Sequence, residues 1–419
     1  MKFVHAADIH LDSPLKGLER YEGAPVDEIR GATRRALENL VGLCLAEEAG
    51  LLVIAGDLYD GDWRDYNTGL FFIRQITRLT RAGVKVVWVR GNHDAASQIT
   101  KRLSLPEGAF EFDARQPETL LFEDLGIAVH GQSYGKRDVT SDLASGYPEP
   151  RPDLFNLGIL HTALDGREGH DSYVPCSVDR LVASGYDYWA LGHVHRREVV
   201  HQDPWIVFPG NLQGRHARET GAKGATLVTV EDGAVTSLDE HELDLVRWSE
   251  CTVDLSEATS ALESVERVRA ILEVEAEPIG DRMLAARVQL RGRSAADSEL
   301  RADPERWRQE IRAAVMDSGA SIWVEKILFE TEPVLDLEAV LNGDDPVGHL
   351  VRALRAAADD AEVLSEITAS LESLASKLPA EYRQQPGATD FGSSAGVAEL
   401  LPAVEGYLLP HLLGFRSEE

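Results

Sequence analysis

The chain has 419 residues, a length that predicts two or three domains at about 150 residues each. Its composition, 43% hydrophobic and 27% charged, is that of a globular protein and excludes a disordered chain or a coiled-coil rod. The formal net charge of −29 has the wrong sign for a protein that holds nucleic acid by bulk charge. Any polyanionic substrate must therefore be held by local cations.

The cysteines and the absence of long apolar runs bear on the cellular compartment. Cys44, Cys176 and Cys251 are far apart and odd in number, so they indicate neither a disulfide framework nor a cysteine zinc site. The first residues lack the apolar run of a signal peptide, and no stretch approaches about 18 apolar residues. We therefore expect a cytoplasmic protein without a membrane-spanning segment.

Residues 1–245 alternate short apolar runs with helical stretches, which predicts an α/β layered domain. Apolar residues at helical spacing predict helices over 27–49 and 66–81. The predicted strands are short and nearly all end in Gly, His, Asp or Asn; they lie at 2–6, 51–55, 84–89, 127–129, 157–160, 188–191, 205–208 and 226–230. In an open α/β sheet such strand ends form the edge where binding sites are built.

Two further segments follow this domain. Residues 246–333 combine short strands and helices in the pattern of a small α+β domain. Residues 334–419 begin as a turn-rich linker, and apolar residues at spacings of three and four from Leu350 to Leu378 then predict one long amphipathic helix. A last helical pattern over 395–415 is interrupted by Pro402 and Pro410.

Five short polar motifs stand at the ends of predicted strands. They are Asp8-Ile9-His10, Gly56-Asp57-Leu58-Tyr59-Asp60, Gly91-Asn92-His93-Asp94, His161, and Gly192-His193-Val194-His195. Carboxylate, carboxamide and imidazole groups together suit two divalent ions such as manganese, iron or zinc. Residues two apart on an extended segment point the same way, so D-x-H and H-x-H can each offer two ligands. The alternative, that these residues only terminate strands as turn formers, must account for seven ligand-type residues in order.

The order of these motifs over roughly the first 200 residues resembles that of the calcineurin-like metallophosphoesterases. Within them the chain is similar to the SbcD-type DNA-repair exonucleases, most of all to their YhaO-type bacterial branch. Leu11-Asp12-Ser13-Pro14-Leu15 after the first motif and Phe208-Pro209-Gly210-Asn211 after the last support this narrower resemblance. The implied fold is α/β: a layered metallophosphoesterase β-sandwich flanked by helices, followed by a small α+β capping domain and a helical C-terminal tail.

The resemblance also implies the site residues, with two divalent metal ions, expected to be manganese. One ion would be held by Asp8, His10, Asp57 and His195, and the other by Asp57, Asn92, His161 and His193. Asp57 is then the bridging carboxylate between the ions. His93 receives no metal and is the candidate general acid, since an imidazole titrates near neutral pH. Asp60 stands where phosphatase members place the carboxylate that orients this histidine.

The stretch from Gln213 to Lys223 is locally basic in an acidic chain. We predict that Arg215, Arg218 and Lys223 contact the substrate backbone near the metals. The same charges would equally suit a solvated loop without a binding role.

By resemblance, the leading hypothesis is a manganese-dependent hydrolase of DNA, with 3′ to 5′ exonuclease and endonuclease activity in DNA repair. Family members work with a coiled-coil, SMC-like ATPase of the SbcC type, and we predict that the C-terminal helices bind it. The alternative for these helices is packing on their own domain. A homodimer is a further expectation. The alternative functions are a metallophosphoesterase acting on a phosphoprotein, cyclic nucleotide or nucleotide, and a non-catalytic scaffold.

Overall fold

The computed structural model describes residues 1–13, 15, 24–60, 66–95, 104–164, 176–317, 319–334, 341–378 and 389–414, the last six only as backbone. The chain divides into two compact units, each considered by itself. The first contains Met1–Glu250, Glu275–Arg287 and Ser321–Glu325, and the second contains the described parts of Cys251–Val274, Val288–Ala320 and Lys326–Glu419.

The strands and helices of the described residues are numbered in chain order. The strands are β1 (Lys2–Ala6), β2 (Leu51–Ala55), β3 (Lys85–Val89), β4 (Ala109–Glu111), β5 (Glu118–Phe122), β6 (Ile127–Gly131), β7 (Phe155–His161), β8 (Tyr188–Gly192), β9 (Glu198–Gln202), β10 (Trp205–Phe208), β11 (Gly224–Glu231), β12 (Ala234–Glu242), β13 (Val246–Asp254), β14 (Met283–Ser294) and β15 (Ile322–Pro333). The helices are α1 (Val26–Ala46), α2 (Tyr66–Arg81), α3 (Asn92–Ala95), α4 (Val178–Ala183), α5 (Ala261–Ala276), α6 (Asp297–Ala302), α7 (Pro304–Met316), α8 (Pro346–Asp359), α9 (Ala361–Lys377) and α10 (Ser394–Gly414).

Two six-stranded sheets form the first unit. One has the order β12-β11-β1-β2-β3-β4, with β1 to β4 parallel and β11 antiparallel to both of its neighbours. The other has the order β5-β6-β7-β8-β10-β9, with β6, β7, β8 and β10 parallel and the two edge strands antiparallel. The predicted layered α/β class is confirmed.

Strand β2 shows why the central strands read as continuous apolar runs. Leu51 and Val53 belong to the core between the sheets, where they pack with Leu157 of β7. Leu52 and Ile54, which point the opposite way, belong to the core beneath helices α1 and α2. A strand buried on both faces carries no polar alternation, and its side chains hold the two sheets and the helices in fixed layers.

The second segment of the chain forms the predicted strands and helices. Strands β13, β14 and β15 make a three-stranded sheet in that order. Helix α7 begins at Pro304, and Asp303 before it accepts a hydrogen bond from the backbone N–H of Arg306, a standard N-cap contact. The division into segments 1–245, 246–333 and 334–419 stays a prediction.

The prediction of one long helix from Leu350 to Leu378 is wrong, because α8 and α9 are separate helices. Asp360 between them is extended (φ −98°, ψ 107°) and accepts hydrogen bonds from the N–H groups of Glu362 and Val363. Its carboxylate thus starts a new helix, while the apolar spacing continues across the break and conceals it. Helix α10 runs through both Pro402 and Pro410, so the predicted interruption at these prolines is also wrong.

The tail helices have a small core of their own. Leu364, Val397 and Leu401 are buried together, and Leu354 and Ile367 pack partly buried against them. Much of the predicted apolar seam is therefore used among α8, α9 and α10. Among the described helices, none combines the length and apolar character needed to cross a membrane.

Candidate metal centre

The seven predicted ligand residues follow, or in one case end, parallel strands of both sheets. Strands β1, β2 and β3 lead to Asp8, His10, Asp57 and Asn92, and strands β7 and β8 lead to His161, His193 and His195. Six of these side chains are buried and His195 is half-buried. Carboxyl ends of parallel strands share one edge of a sheet, so the fold brings together residues that are up to 187 positions apart in the chain.

The backbone around the ligands is strained in a consistent way. Asp8, His10, Asp57 and His193 have positive φ values of 50°, 45°, 50° and 99°. Such left-handed backbone is rare for residues other than glycine and clusters at functional sites. The backbone N–H of Asp8 donates to the carbonyl oxygen of Gly56 at 3.0 Å, and that of His10 donates to the carbonyl of Asp57 at 3.0 Å. These bonds hold the first two motifs in register.

One group of ligand atoms comes from Asp8, His10 and His195, whose ligand atoms lie within 4.8 Å of one another. The Nε2 atoms of the two histidines are 3.3 Å apart, and His195 Nε2 is 3.7 Å from Asp8 Oδ1. His195 Nδ1 lies 2.7 Å from Glu219 Oε1, so this nitrogen carries the proton and Nε2 carries the lone pair. The lone pair faces the other two ligands.

A second group comes from Asp8, Asp57 and His161, with Asn92 beside them. His161 Nδ1 donates to the carbonyl oxygen of Ala55 at 2.9 Å, because a carbonyl only accepts. The other ring nitrogen, Nε2, is the one available to a metal, and it faces Asn92 Oδ1 at 3.0 Å and Asp57 Oδ2 at 3.4 Å. Acceptors facing one another repel unless a cation or a proton lies among them.

The missing side chain of Gly91 leaves space among these atoms. A Cβ built on Gly91 would lie 2.3 Å from Asp57 Oδ1 and 2.8 Å from His161 Nε2. The ring of His193 stands edge-on to that of His161, with centroids 5.1 Å apart. A set of convergent carboxylate, amide and imidazole acceptors around a space closed to side chains fits a pair of divalent metal ions.

His93 and Asp60 form a pair at the rim of the site. His93 Nδ1 lies 2.8 Å from Asp60 Oδ1, and the hydroxyl of Ser13 donates to Asp60 Oδ2 at 2.6 Å. The hydrogen bond to Asp60 raises the pKa of His93 above its ordinary value. The His93 side chain is 32% exposed, and its backbone N–H donates to Asp57 Oδ1 at 2.9 Å. The imidazole is thus oriented by Asp60 and open to a substrate.

The three predicted substrate residues lie in different environments. Arg218 is exposed. Lys223 is buried, and its Nζ donates to the carbonyl oxygen of His195 at 2.9 Å. Arg215 is 13% exposed and reaches Glu219 and Asp60. The placement of Lys223 and Arg215 favours support of the site, and their contact with substrate stays a prediction.

Sequence reasoning gave no role to two buried carboxylates near the site. Asp94 accepts the backbone N–H groups of Leu58, Tyr59 and Gly91 at 3.0, 2.8 and 3.1 Å and so joins the second motif to the third. Burial, together with the charge of Asp57, raises the pKa of Asp94 to about 7. Its position in the Gly91-Asn92-His93-Asp94 motif was a usable signal.

No motif in the sequence indicated a role for Glu219, because it lies inside the locally basic stretch from Gln213 to Lys223. Although burial alone would raise its pKa, the hydrogen bond from His195 and the charge of Arg215 hold the pKa of Glu219 well below its usual range. It is the carboxylate behind a predicted metal ligand.

Comparison with known proteins gives two family matches. The calcineurin-like phosphoesterase family matches residues 1–197, and the middle domain of metallophosphoesterase YhaO matches residues 248–332. The chain is 32% identical over 357 residues to an uncharacterized metallophosphoesterase YhaO of Bacillus subtilis (strain 168), covering 83% of this chain and 85% of that protein.

More distant similarities extend to other proteins. The chain is 28% identical over 280 residues to the DNA double-strand break repair protein Mre11 of Methanopyrus kandleri, covering 59% of this chain and 58% of that protein. A dimetal phosphatase from Danio rerio, known from its crystal structure, matches 58% of this chain and 98% of its own, with 11% identity and a TM-score of 0.35. That last likeness is too low to carry an argument.

Proposed function

The chain belongs to the calcineurin-like metallophosphoesterases, in their YhaO-type branch, and from this premise we propose that it hydrolyses the phosphodiester bonds of DNA. The observation that carries the proposal is the convergence of the ligand residues on one edge of the two sheets, beside the pair formed by His93 and Asp60. Manganese dependence, 3′ to 5′ polarity and a role in DNA repair are parts of this proposal.

A pair of divalent ions held by these residues would supply positive charge to the phosphoryl oxygens and lower the pKa of a bound water molecule. Asp57 Oδ2 lies 3.4 Å from His161 Nε2, and Oδ1 accepts the N–H of His93. Asp8 is common to both groups of ligand atoms, and the bridging role of Asp57 is part of this proposal. Because His93 Nδ1 is turned toward Asp60, the transferable proton of the imidazolium is the one on Nε2. That proton goes to the leaving sugar oxygen.

Two observations support DNA as the substrate. The similarity to the Methanopyrus kandleri repair protein spans 59% of this chain, although the chain covers only 58% of that protein. Arg196 follows His195 directly, Arg218 precedes Glu219, and both arginine side chains are exposed. These residues can supply the local cations that a chain of net charge −29 needs in order to hold a phosphate backbone.

The ATPase partner is proposed on the exposed surface of the tail. Leu350 of α8, Leu374 of α9, and Val404 and Tyr407 of α10 are exposed by 37%, 47%, 37% and 56%. Apolar side chains on a helical surface suit a helix-in-groove or coiled-coil contact with an SMC-like ATPase of the SbcC type. A homodimer and a cytoplasmic location stay predictions.

A substrate panel tests the function. The full-length chain is stripped with EDTA, reloaded with manganese, and given end-labelled duplex DNA, hairpin DNA, p-nitrophenyl phosphate, a cyclic nucleotide and a phosphopeptide. We expect label to be lost from 3′ ends, and EDTA to stop the reaction. Turnover of the phosphopeptide or the cyclic nucleotide without cleavage of DNA would overturn the proposal in favour of a non-DNA metallophosphoesterase.

Asp57→Ala tests the metal chemistry in the same panel. Loss of the bridging carboxylate should remove metal and activity together, whereas Asp138→Ala, at an exposed position, should change neither. Metal content by mass spectrometry decides the matter. Two equivalents of manganese on the Asp57 variant would show that the ligand assignment is wrong.

A further inference from the structure

The buried carboxylate of Glu219 accepts hydrogen bonds at both of its oxygens. It is 7% exposed and lies between β10 and β11. Oε1 lies 2.7 Å from His195 Nδ1 and 3.2 Å from Arg215 Nη2. Oε2 accepts the side-chain amide of Asn211 at 3.0 Å and the backbone N–H of Arg215 at 2.7 Å. All four contacts require an acceptor, so both oxygens are held in place.

The contact with His195 determines which face of that imidazole is available to a metal. A carboxylate has no proton to give, so at 2.7 Å His195 Nδ1 donates to Glu219 and cannot also accept from Arg215 Nη2, which lies 3.4 Å away. The lone pair then lies on Nε2, which faces His10 Nε2 at 3.3 Å and Asp8 Oδ1 at 3.7 Å. A carboxylate behind a ligating histidine fixes its tautomer and ring orientation and increases its basicity.

Arg215 connects this carboxylate to the other functional histidine. Its Nη2 lies 3.2 Å from Glu219 Oε1, and its Nη1 lies 3.7 Å from Asp60 Oδ2. Asp60 in turn lies 2.8 Å from His93 Nδ1. The contacts form one path from His195 through Glu219, Arg215 and Asp60 to His93.

We propose that Glu219 and Arg215 are positioning residues, Glu219 for the metal-binding face of His195 and Arg215 for the common alignment of Glu219 and Asp60. The inference rests on the proposed two-metal chemistry of the same site. It gives Arg215 a role different from a grip on the substrate backbone. A guanidinium of low exposure placed between two carboxylates has its donors directed inward, whereas a phosphate grip needs them directed to solvent.

Glu219→Gln tests the first part with almost no change in shape. An amide must place its NH₂ group against one of the two donor pairs, so either His195 or the segment that carries Glu219 loses its partner. Manganese titration of the full-length chain by calorimetry, with EPR of the bound ions, should show one of the two ions bound about 10–100-fold more weakly. Glu231→Gln, at an exposed position on β11, should bind both ions as the parent does.

Arg215→Met tests the second part by separating kcat from KM. At saturating manganese we expect kcat on bis-p-nitrophenyl phosphate and on duplex DNA to fall about tenfold or more, with KM unchanged. Arg137→Met, at an exposed position outside this segment, should leave kcat unchanged. A substrate grip at Arg215 would instead raise KM for DNA at unchanged kcat, and that result would overturn the proposed role.

Other results would also test the proposed roles of Glu219 and Arg215. Parental manganese affinity in Glu219→Gln would overturn the role of Glu219. If this variant does not fold, Glu219→Asp keeps the charge, withdraws the oxygens by one methylene, and carries the same expectation. The small phosphodiester and the manganese titration do not depend on DNA. A parent protein that binds two ions but cleaves no DNA would therefore refute the proposed substrate while still testing Glu219 and Arg215.

Discussion

Gly91→Ala should disrupt the metal centre through a single added methyl group. The new Cβ would lie 2.3 Å from Asp57 Oδ1, 2.8 Å from His161 Nε2 and 2.9 Å from Asp57 Cγ. Favourable contacts between non-bonded heavy atoms lie near 3.5–4.0 Å, so the carboxylate must retreat by about 1 Å. Functional side chains must be held to within about 0.5 Å of their working geometry. The displaced residue is the predicted bridging ligand, and both ions should be affected.

The size of the effect follows from the cost of inserting a group into a packed site. Overpacking costs about 1–3 kcal/mol, and here the strain is relieved when Asp57 moves away from the ions. If the ion-bound state carries that full cost, manganese affinity falls by about 5- to 150-fold. The protein without metal can relax, so its thermal unfolding in EDTA should change less than that of the manganese-loaded form.

Calorimetric titration with manganese and thermal unfolding with and without EDTA measure both quantities. Gly42→Ala is the matched control, because a Cβ at this exposed position of α1 meets nothing within 4 Å. Replacing a mid-helix glycine there should raise stability by about 0.5–1 kcal/mol and leave metal binding alone. A Gly91 variant that binds two ions with parental affinity would refute the reading of this space as part of the metal centre.

Three further outcomes follow from the same structure. His93→Ala should retain both metals and lose turnover by about 10²–10⁴-fold. Metal content and DNA cleavage check this beside His349→Ala, a control at an exposed histidine; loss of the metals would exclude His93 as the general acid. Asp60→Asn removes the carboxylate charge from the contact that raises the pKa of His93, although the amide oxygen can still accept its N–H. A general acid works only below its pKa, so the alkaline fall of kcat should move to lower pH; an unmoved limb would rule out His93 as the acid. Truncation after Asn342 should leave a folded chain that cleaves small DNA substrates but no longer co-purifies with its ATPase; a truncated chain that unfolds, or that keeps the ATPase, would favour a tail that serves its own domain.

The central strands could be predicted from the sequence because a strand buried on both faces is a nearly continuous run of apolar residues. Strand β2 is a run of five apolar residues, and β1 and β3 are similar. Strand β12 has no such run: it pairs along its whole length with β11, yet most of its side chains are polar and none is buried. Its existence depends on a partner strand, which is tertiary information. The break at Asp360 was hidden for the opposite reason, since the apolar spacing there agrees with one helix or two.

The meeting of the predicted ligand residues could be foreseen because each stands at a strand end, where chain order and sheet topology together decide position; their binding of metal stays a prediction. His161 is the least obvious of them, since no second ligand lies within its own motif. What places it is the parallel pairing of β7 with β8, which sets His161 opposite Gly192. Residues that act behind the ligands follow no such rule, because any loop that passes beneath the site can supply them.

The segment from Gln213 to Lys223 shows why adding up charges along the chain does not describe a site. Read as a string, it is basic; folded, it turns Glu219 and Arg215 inward as an ion pair and leaves Arg218 exposed. Lys223 adds a hydrogen bond to the backbone of His195 and no free charge at the surface. Two of the three basic side chains of this segment, Arg215 and Lys223, therefore contact groups at the site, where they help to hold His195 and Asp60 in place. In the proposed function, the exposed Arg218 of this segment and Arg196 beside His195 are then the cations left to attract a phosphodiester, together with the charge of the metal ions that the predicted ligands would hold.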